Sequence, residues 1–120
     1  MSRDFRKLQV FQLADELLLR VYHAKTTFPP AERYTLQAQL HRAALSSSTD
    51  IVEGSARRTT REYLYFLNVA AGSATEARYL TDVSRRLEFF PEDDAADLVT
   101  RYTELAAKLQ ALIASLSDDP

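Results

Sequence analysis

The stretch LSSSTDIVEGSARRTTREY, Leu45–Tyr63, decides the fold. Four consecutive hydroxyl residues, Ser46–Thr49, ordinarily mark a loop, because short polar side chains compete for the hydrogen bonds of the backbone. Here they interrupt nothing. Leu36, Leu40, Ala43, Ser47, Ile51 and Gly54 step by threes and fours straight through them, the rhythm of one buried helical face. The run therefore reads as a close-packing seam in which small side chains admit a neighbouring helix. Its mediocre helix propensity leaves packing to hold it. The second half of the stretch ends that helix and opens another, since Thr59 followed by Glu62 matches a capping box.

Working outward, helices are expected at about 6–27, 33–56, 60–87 and 92–116. The first carries Val10, Ala14, Leu17, Val21, Ala24 and Phe28 in register and is stopped by Pro29-Pro30. The third carries Tyr63, Phe66, Ala70, Ser73, Ala77, Leu80, Ser84 and Leu87, with a joint at Glu88–Pro91. The fourth opens with Pro91 and acidic residues suited to a helix N-terminus, and its stripe is Leu98, Tyr102, Leu105, Leu109, Leu112 and Leu116. Short joints make chain neighbours antiparallel. The fold class is all-α, an antiparallel up-down-up-down four-helix bundle forming a single domain over 1–120, with Ser117–Pro120 as a frayed tail.

Composition agrees. With 2 glycines and 4 prolines in 120 residues, the tight turns of a sheet protein have little to be built from. The absence of cysteine removes disulfides and thiolate metal sites and points to a cytoplasmic protein. The segment MSRDFRKLQVFQLADE lacks the apolar core of a signal peptide or membrane span, so no membrane association is expected. A net charge of −2 argues against a wholly nucleic-acid-coated surface but leaves room for a local basic patch.

Enzymatic motifs do not stand out. Neither His23 nor His41 has the glutamate three residues earlier that a di-iron bundle uses, and no phosphate loop, zinc helix or nucleophile elbow occurs. No catalytic residue, cofactor, metal or small-molecule substrate is implied. The best binding candidates are Arg57, Arg58 and Arg61, where guanidinium groups and free backbone donors at the start of the third helix suit phosphate; the competing role is pairing with Glu53 and Glu62. Arg3, Arg6 and Lys7 extend this basic face if the N-terminus lies nearby. A polar edge of Arg42, Asp50, Glu53 and Glu76 is expected to be structural, its carboxylates pairing with arginines such as Arg42.

The third helix also carries more apolar surface than one bundle face needs. Leu64, Leu67, Ala71 and Ala74 form a second stripe, and Tyr65, Val69, Gly72 and Tyr79 a third. Leu8, Phe11, Leu18 and Tyr22 add a surplus on the first helix. Self-association is expected, with Leu64, Leu67, Tyr65 and Tyr79 as candidate interface residues.

The order Tyr34-Thr35-Leu36, Gln39-Leu40-His41-Arg42-Ala43-Ala44, Ile51-Val52-Glu53-Gly54, Arg57-Arg58, Glu62-Tyr63 and Phe66-Leu67 to Gly72-Ser73 with Glu76 resembles the bacterial four-helix-bundle family of proteins encoded in 23S rRNA intervening sequences. That resemblance implies a ring-like homopentamer without known catalytic activity. The family is similar to the accessory variability determinant of diversity-generating retroelements, a pentamer that binds nucleic acid and a reverse transcriptase, so RNA or DNA is an expected partner besides the chain itself. Three positions depart from the family pattern: Thr35 replaces a usual glycine, Ser48 a usual proline and Asp50 a usual asparagine. The alternative is a protein-interaction scaffold that binds no nucleic acid.

Overall fold

The computed structural model describes residues 3–117. Among them, a 3-10 turn at Phe5–Lys7 precedes α1 (Gln9–His23), and a second at Pro30–Glu32 leads into α2 (Leu36–Ser55), α3 (Thr60–Arg86) and α4 (Glu92–Ser117). The helices run antiparallel to their chain neighbours, and α1 closes the ring against α4. The result is a rod of 49 × 23 × 19 Å, its length set by α3, whose 27 residues span about 40 Å. Of the expected frayed tail, Ser117 closes α4 and residues 118–120 lie outside the described residues.

The expected seams form most of the core, although Leu87, placed on the seam of the third helix by spacing, is 50 % exposed. Val10, Ala14, Leu17 and Val21 of α1, Leu40, Ala43 and Ile51 of α2, Ala70 and Ala77 of α3, and Leu98, Tyr102, Leu105 and Leu109 of α4 are all buried in one cluster. The hydroxyl run behaves as a seam. Ser47 and Ser48 are buried, the Ser46 hydroxyl meets that of Ser73 on α3 at 2.9 Å, and Thr49 donates back to the Leu45 carbonyl at 2.8 Å. Where a proline is usual in the resembled family, Ser48 lies within one unbroken helix. Gly54 marks a close approach: a Cβ there would lie 2.8 Å from the Phe66 Cβ. The hydroxyls of Ser47, Ser48, Thr81 and Tyr102 are buried without a hydrogen-bond partner among the described residues, and burial pushes the Tyr102 phenol well above its ordinary value.

α1 is shorter than expected at both ends. Leu8, extended at φ −79° and ψ 127°, separates the N-terminal turn from the helix. At the other end the helix stops at His23, and residues 24–29 run on without helix to Pro30. Ala24 and Phe28, placed on the helical stripe from spacing, lie beyond its end. The cause is tertiary: the Thr27 amide donates to the Phe89 carbonyl at 2.8 Å, and the Phe28 ring packs on Phe89 with centroids 5.7 Å apart. Two β-branched threonines, which pack poorly in helices, ease the departure. α2 likewise starts later, at Leu36, after the turn through Thr35.

α3 ends in a Schellman motif. The Phe89 amide donates to the Ser84 carbonyl and the Glu88 amide to the Arg85 carbonyl, each at 2.9 Å, with Glu88 at φ 64° in the left-handed region. The α3 N-terminus is capped as expected: the Thr59 hydroxyl accepts from the Glu62 amide at 3.1 Å and donates to the Glu62 carboxylate at 2.9 Å. Leu67, Ala71 and Ala74 are buried. The place of Leu67 on an outward interface is therefore corrected: α3 packs against both α2 and α4, and two neighbours consume two apolar stripes.

Candidate nucleic-acid interface

The joint between α2 and α3 sits at the end of the rod where the chain also begins its first turn. Asp4 caps that turn by accepting from the Arg6 amide at 3.1 Å, and Arg6 holds the Asp4 carboxyl below its ordinary range. The bend at Leu8 carries the segment before it across the joint. Arg3 thereby places its guanidinium 4.3 Å from the Tyr63 ring centroid and donates through Nη1 to the Arg57 carbonyl at 3.1 Å. Burial pushes the Tyr63 phenol up, with the Arg3 charge opposing that rise.

Between these elements lies a cavity of about 620 Å³ lined by Arg3, Phe5, Val52, Ser55, Ala56, Arg57 and Arg58. Three of the seven lining residues are arginines and none is acidic. They are not equivalent. Arg57 donates to the Glu53 carboxylate at 2.7 Å and sits 5.3 Å from the Phe66 ring, so its charge is partly spent. Arg3 is fixed by one hydrogen bond and one ring, leaving most of its five N–H donors unused. Arg58 is exposed and has no side-chain partner among the described residues.

Arg61 does not join this group. It lines a separate groove with Thr60, Leu64, Tyr65, Asn68 and Leu116, between the start of α3 and the end of α4. Of the N-terminal cations, Arg3 reaches the cavity, whereas Arg6 pairs with Asp4 at 3.0 Å and does not line it. Phe5, Val52, Ser55 and Ala56 line the cavity without having been singled out by spacing, and the position of Phe5 depends on the bend at Leu8.

The polar edge resolves into three separate groups. Arg42 bonds Glu76 across α2 and α3 and also Gln39 on its own helix at 3.0 Å; Asp50 accepts from Ser46 at 2.7 Å; Glu53 holds Arg57. With Arg42 half exposed and Glu76 39 % exposed, this is a wet edge of weak ion pairs. Beyond it, His41 stacks on Tyr22 of α1 with centroids 4.3 Å apart, and burial holds its pKa below the ordinary value.

On the outward face of α3, Tyr65 and Tyr79 are 64 % and 61 % exposed, Val69 is exposed between them, and Leu64 is half-buried. Gly72, on the same face, has open space around the position a Cβ would take. Nothing among the described residues explains a glycine in mid-helix, where it costs about 1 kcal/mol relative to alanine.

Residues 6–111 match the family model described as 23S rRNA-intervening sequence protein. Among solved structures, a protein with unknown function from the S23 ribosomal protein family, from Bacteroides thetaiotaomicron VPI-5482, is similar with a TM-score of 0.77. The two chains are 20 % identical, and the match covers 87 % of this chain and 97 % of that one, a likeness of fold. No curated protein matches the sequence.

Proposed function

Because the chain belongs to the 23S rRNA-intervening sequence protein family, we propose that it is a self-assembling, non-enzymatic bundle, a cytoplasmic homopentamer that contacts RNA or DNA through its arginine-walled end. Self-assembly rests on Gly72. A glycine that weakens an exposed helix without an internal reason, set among Tyr65, Val69 and Tyr79, fits a surface where a second copy approaches closely. Replacing Gly72 by alanine separates the possibilities. In a monomer it stabilises α3 by about 1 kcal/mol; in the assembly it wedges the interface and lowers the mass seen by light scattering. A wild-type chain that sediments as a monomer refutes the assembly.

Nucleic-acid contact is supported by Arg3 and Arg58 beside Arg57, which give an acidic chain one cationic end. Repeated in a ring, that end becomes multivalent. Filter binding of a structured RNA at low and high salt is the test: affinity falls as salt rises, because phosphate contacts release counterions, and Arg58→Ala weakens it further. Salt-insensitive binding, or none, leaves the protein-interaction scaffold as the reading.

A further inference from the structure

The cavity differs from a flat basic patch in its charge count and its shape. Arg57 is neutralised locally by Glu53, so the cavity presents the charges of Arg3 and Arg58 with no lining carboxylate against them. A phosphodiester inside a strand carries one negative charge, whereas a terminal phosphate monoester carries nearly two at neutral pH and offers three free oxygens. Two available guanidinium groups match the monoester. Its volume, about 620 Å³, falls within the roughly 300–1,000 Å³ of sites that enclose one small ligand. A phosphate within a duplex is flanked by neighbours that must stay outside the hollow, whereas a splayed terminal nucleotide brings its phosphate in alone.

The remaining walls suit the rest of that nucleotide. Phe5 is braced edge-on by Phe11, with ring centroids 4.9 Å apart, and supplies an aromatic wall on which a base can stack. Val52 and Ala56 are apolar, and the Ser55 hydroxyl, which donates to the Val52 carbonyl at 2.6 Å, retains accepting capacity. Arg3 is held against Tyr63 before any ligand arrives, so little side-chain freedom is lost on binding.

We infer that this cavity binds the phosphorylated terminal nucleotide of a single-stranded nucleic acid, with Arg3 and Arg58 on the phosphate and Phe5 against the base. The inference rests on the nucleic-acid reading above and adds end recognition to it. Fluorescence anisotropy of the full chain with a short labelled oligoribonucleotide tests it, comparing a 5′-phosphate, a 3′-phosphate and unphosphorylated ends, with a blunt duplex of the same sequence and adenosine 5′-monophosphate as competitors. One phosphorylated end binds about tenfold tighter than the unphosphorylated strand, as expected for one or two charge-assisted hydrogen bonds. Arg58→Gln, at an exposed side chain without a partner among the described residues, erases that difference; Phe5→Leu weakens both forms. The difference also shrinks between about pH 7.5 and 5.5, as the monoester takes up its second proton. Equal, salt-sensitive binding of all ends and of the duplex overturns end recognition while leaving nucleic-acid contact standing. Binding of no RNA at all overturns both. Competition by the free nucleotide without any gain from the terminal phosphate overturns the strand-end assignment.

Discussion

Glu88 occupies the one position in the α3–α4 joint where the chain must turn left-handed, at φ 64°. A side chain there crowds its own carbonyl at a cost of about 1 kcal/mol, which glycine avoids. Its carboxylate is exposed and makes no hydrogen bond among the described residues, so Glu88→Gly should stabilise the protein by about 0.5–1 kcal/mol in urea unfolding. Gly54 gives the opposite sign. Alanine is the better helix former, yet a Cβ at Gly54 would press on the Phe66 Cβ and stand 3.2 Å from the Tyr63 ring. Gly54→Ala should therefore cost about 1–3 kcal/mol, the range for overpacking a filled site, and an unchanged unfolding midpoint would show that α2 and α3 can part freely. Neither effect was visible in the residue types alone. Gly54 is on the buried stripe by spacing, but that its neighbour is the backbone end of Phe66 emerges only from packing, and Glu88 in a left-handed turn contradicts the usual preference for glycine.

At the level of the helix, periodicity was legible and contact number was not. α2 is continuous through Ser46–Thr49 because its buried positions keep their spacing, which outweighs weak propensity. α1 stops early because of Phe89, some sixty residues away, and no local pattern carries that information. Leu67 is buried within the bundle, and its spacing hides this for a related reason: a stripe on one helix says it must be covered, without saying whether a sister helix or another chain covers it. Arg57 and Arg58 were legible as a basic pair, while Arg61 is carried by the turn of α3 to the α4 side. The α1–α2 contact yields a pH dependence. His41 is partly buried against Tyr22 with its pKa depressed by desolvation, so the folded state resists protonation while the unfolded chain accepts a proton near pH 6.5. Its contribution is fully present above about pH 6.5 and is lost as the pH falls toward the depressed native value. Urea unfolding midpoints should drop across that window in the wild type, and His41→Phe, which keeps the ring contact and cannot titrate, should remove that part of the drop.

Taken whole, the molecule is an unevenly charged rod. Glu92, Asp93, Asp94 and Asp97 gather at the end where α4 starts, and Arg3, Arg57 and Arg58 at the end where α2 gives way to α3. At the acidic end Arg20 and Arg85 pair with Asp97 and Glu92, so the cationic end is the less compensated one, and in any cyclic assembly with the rods parallel to the axis symmetry puts all the arginine ends on one side. The segment that completes the cationic end is lightly held. The Phe5–Lys7 turn contains no buried residue, and its amides bond only locally, Lys7 to Asp4 and Leu8 to Phe5. Such a segment opens without the bundle unfolding, so its amides should exchange with deuterium orders of magnitude faster than those in the middle of α3. A guest in the hollow would hold that arm in the place it already takes, with Arg3 on Tyr63, and slower exchange at Lys7 and Leu8 on adding a phosphorylated strand would register the suppressed opening.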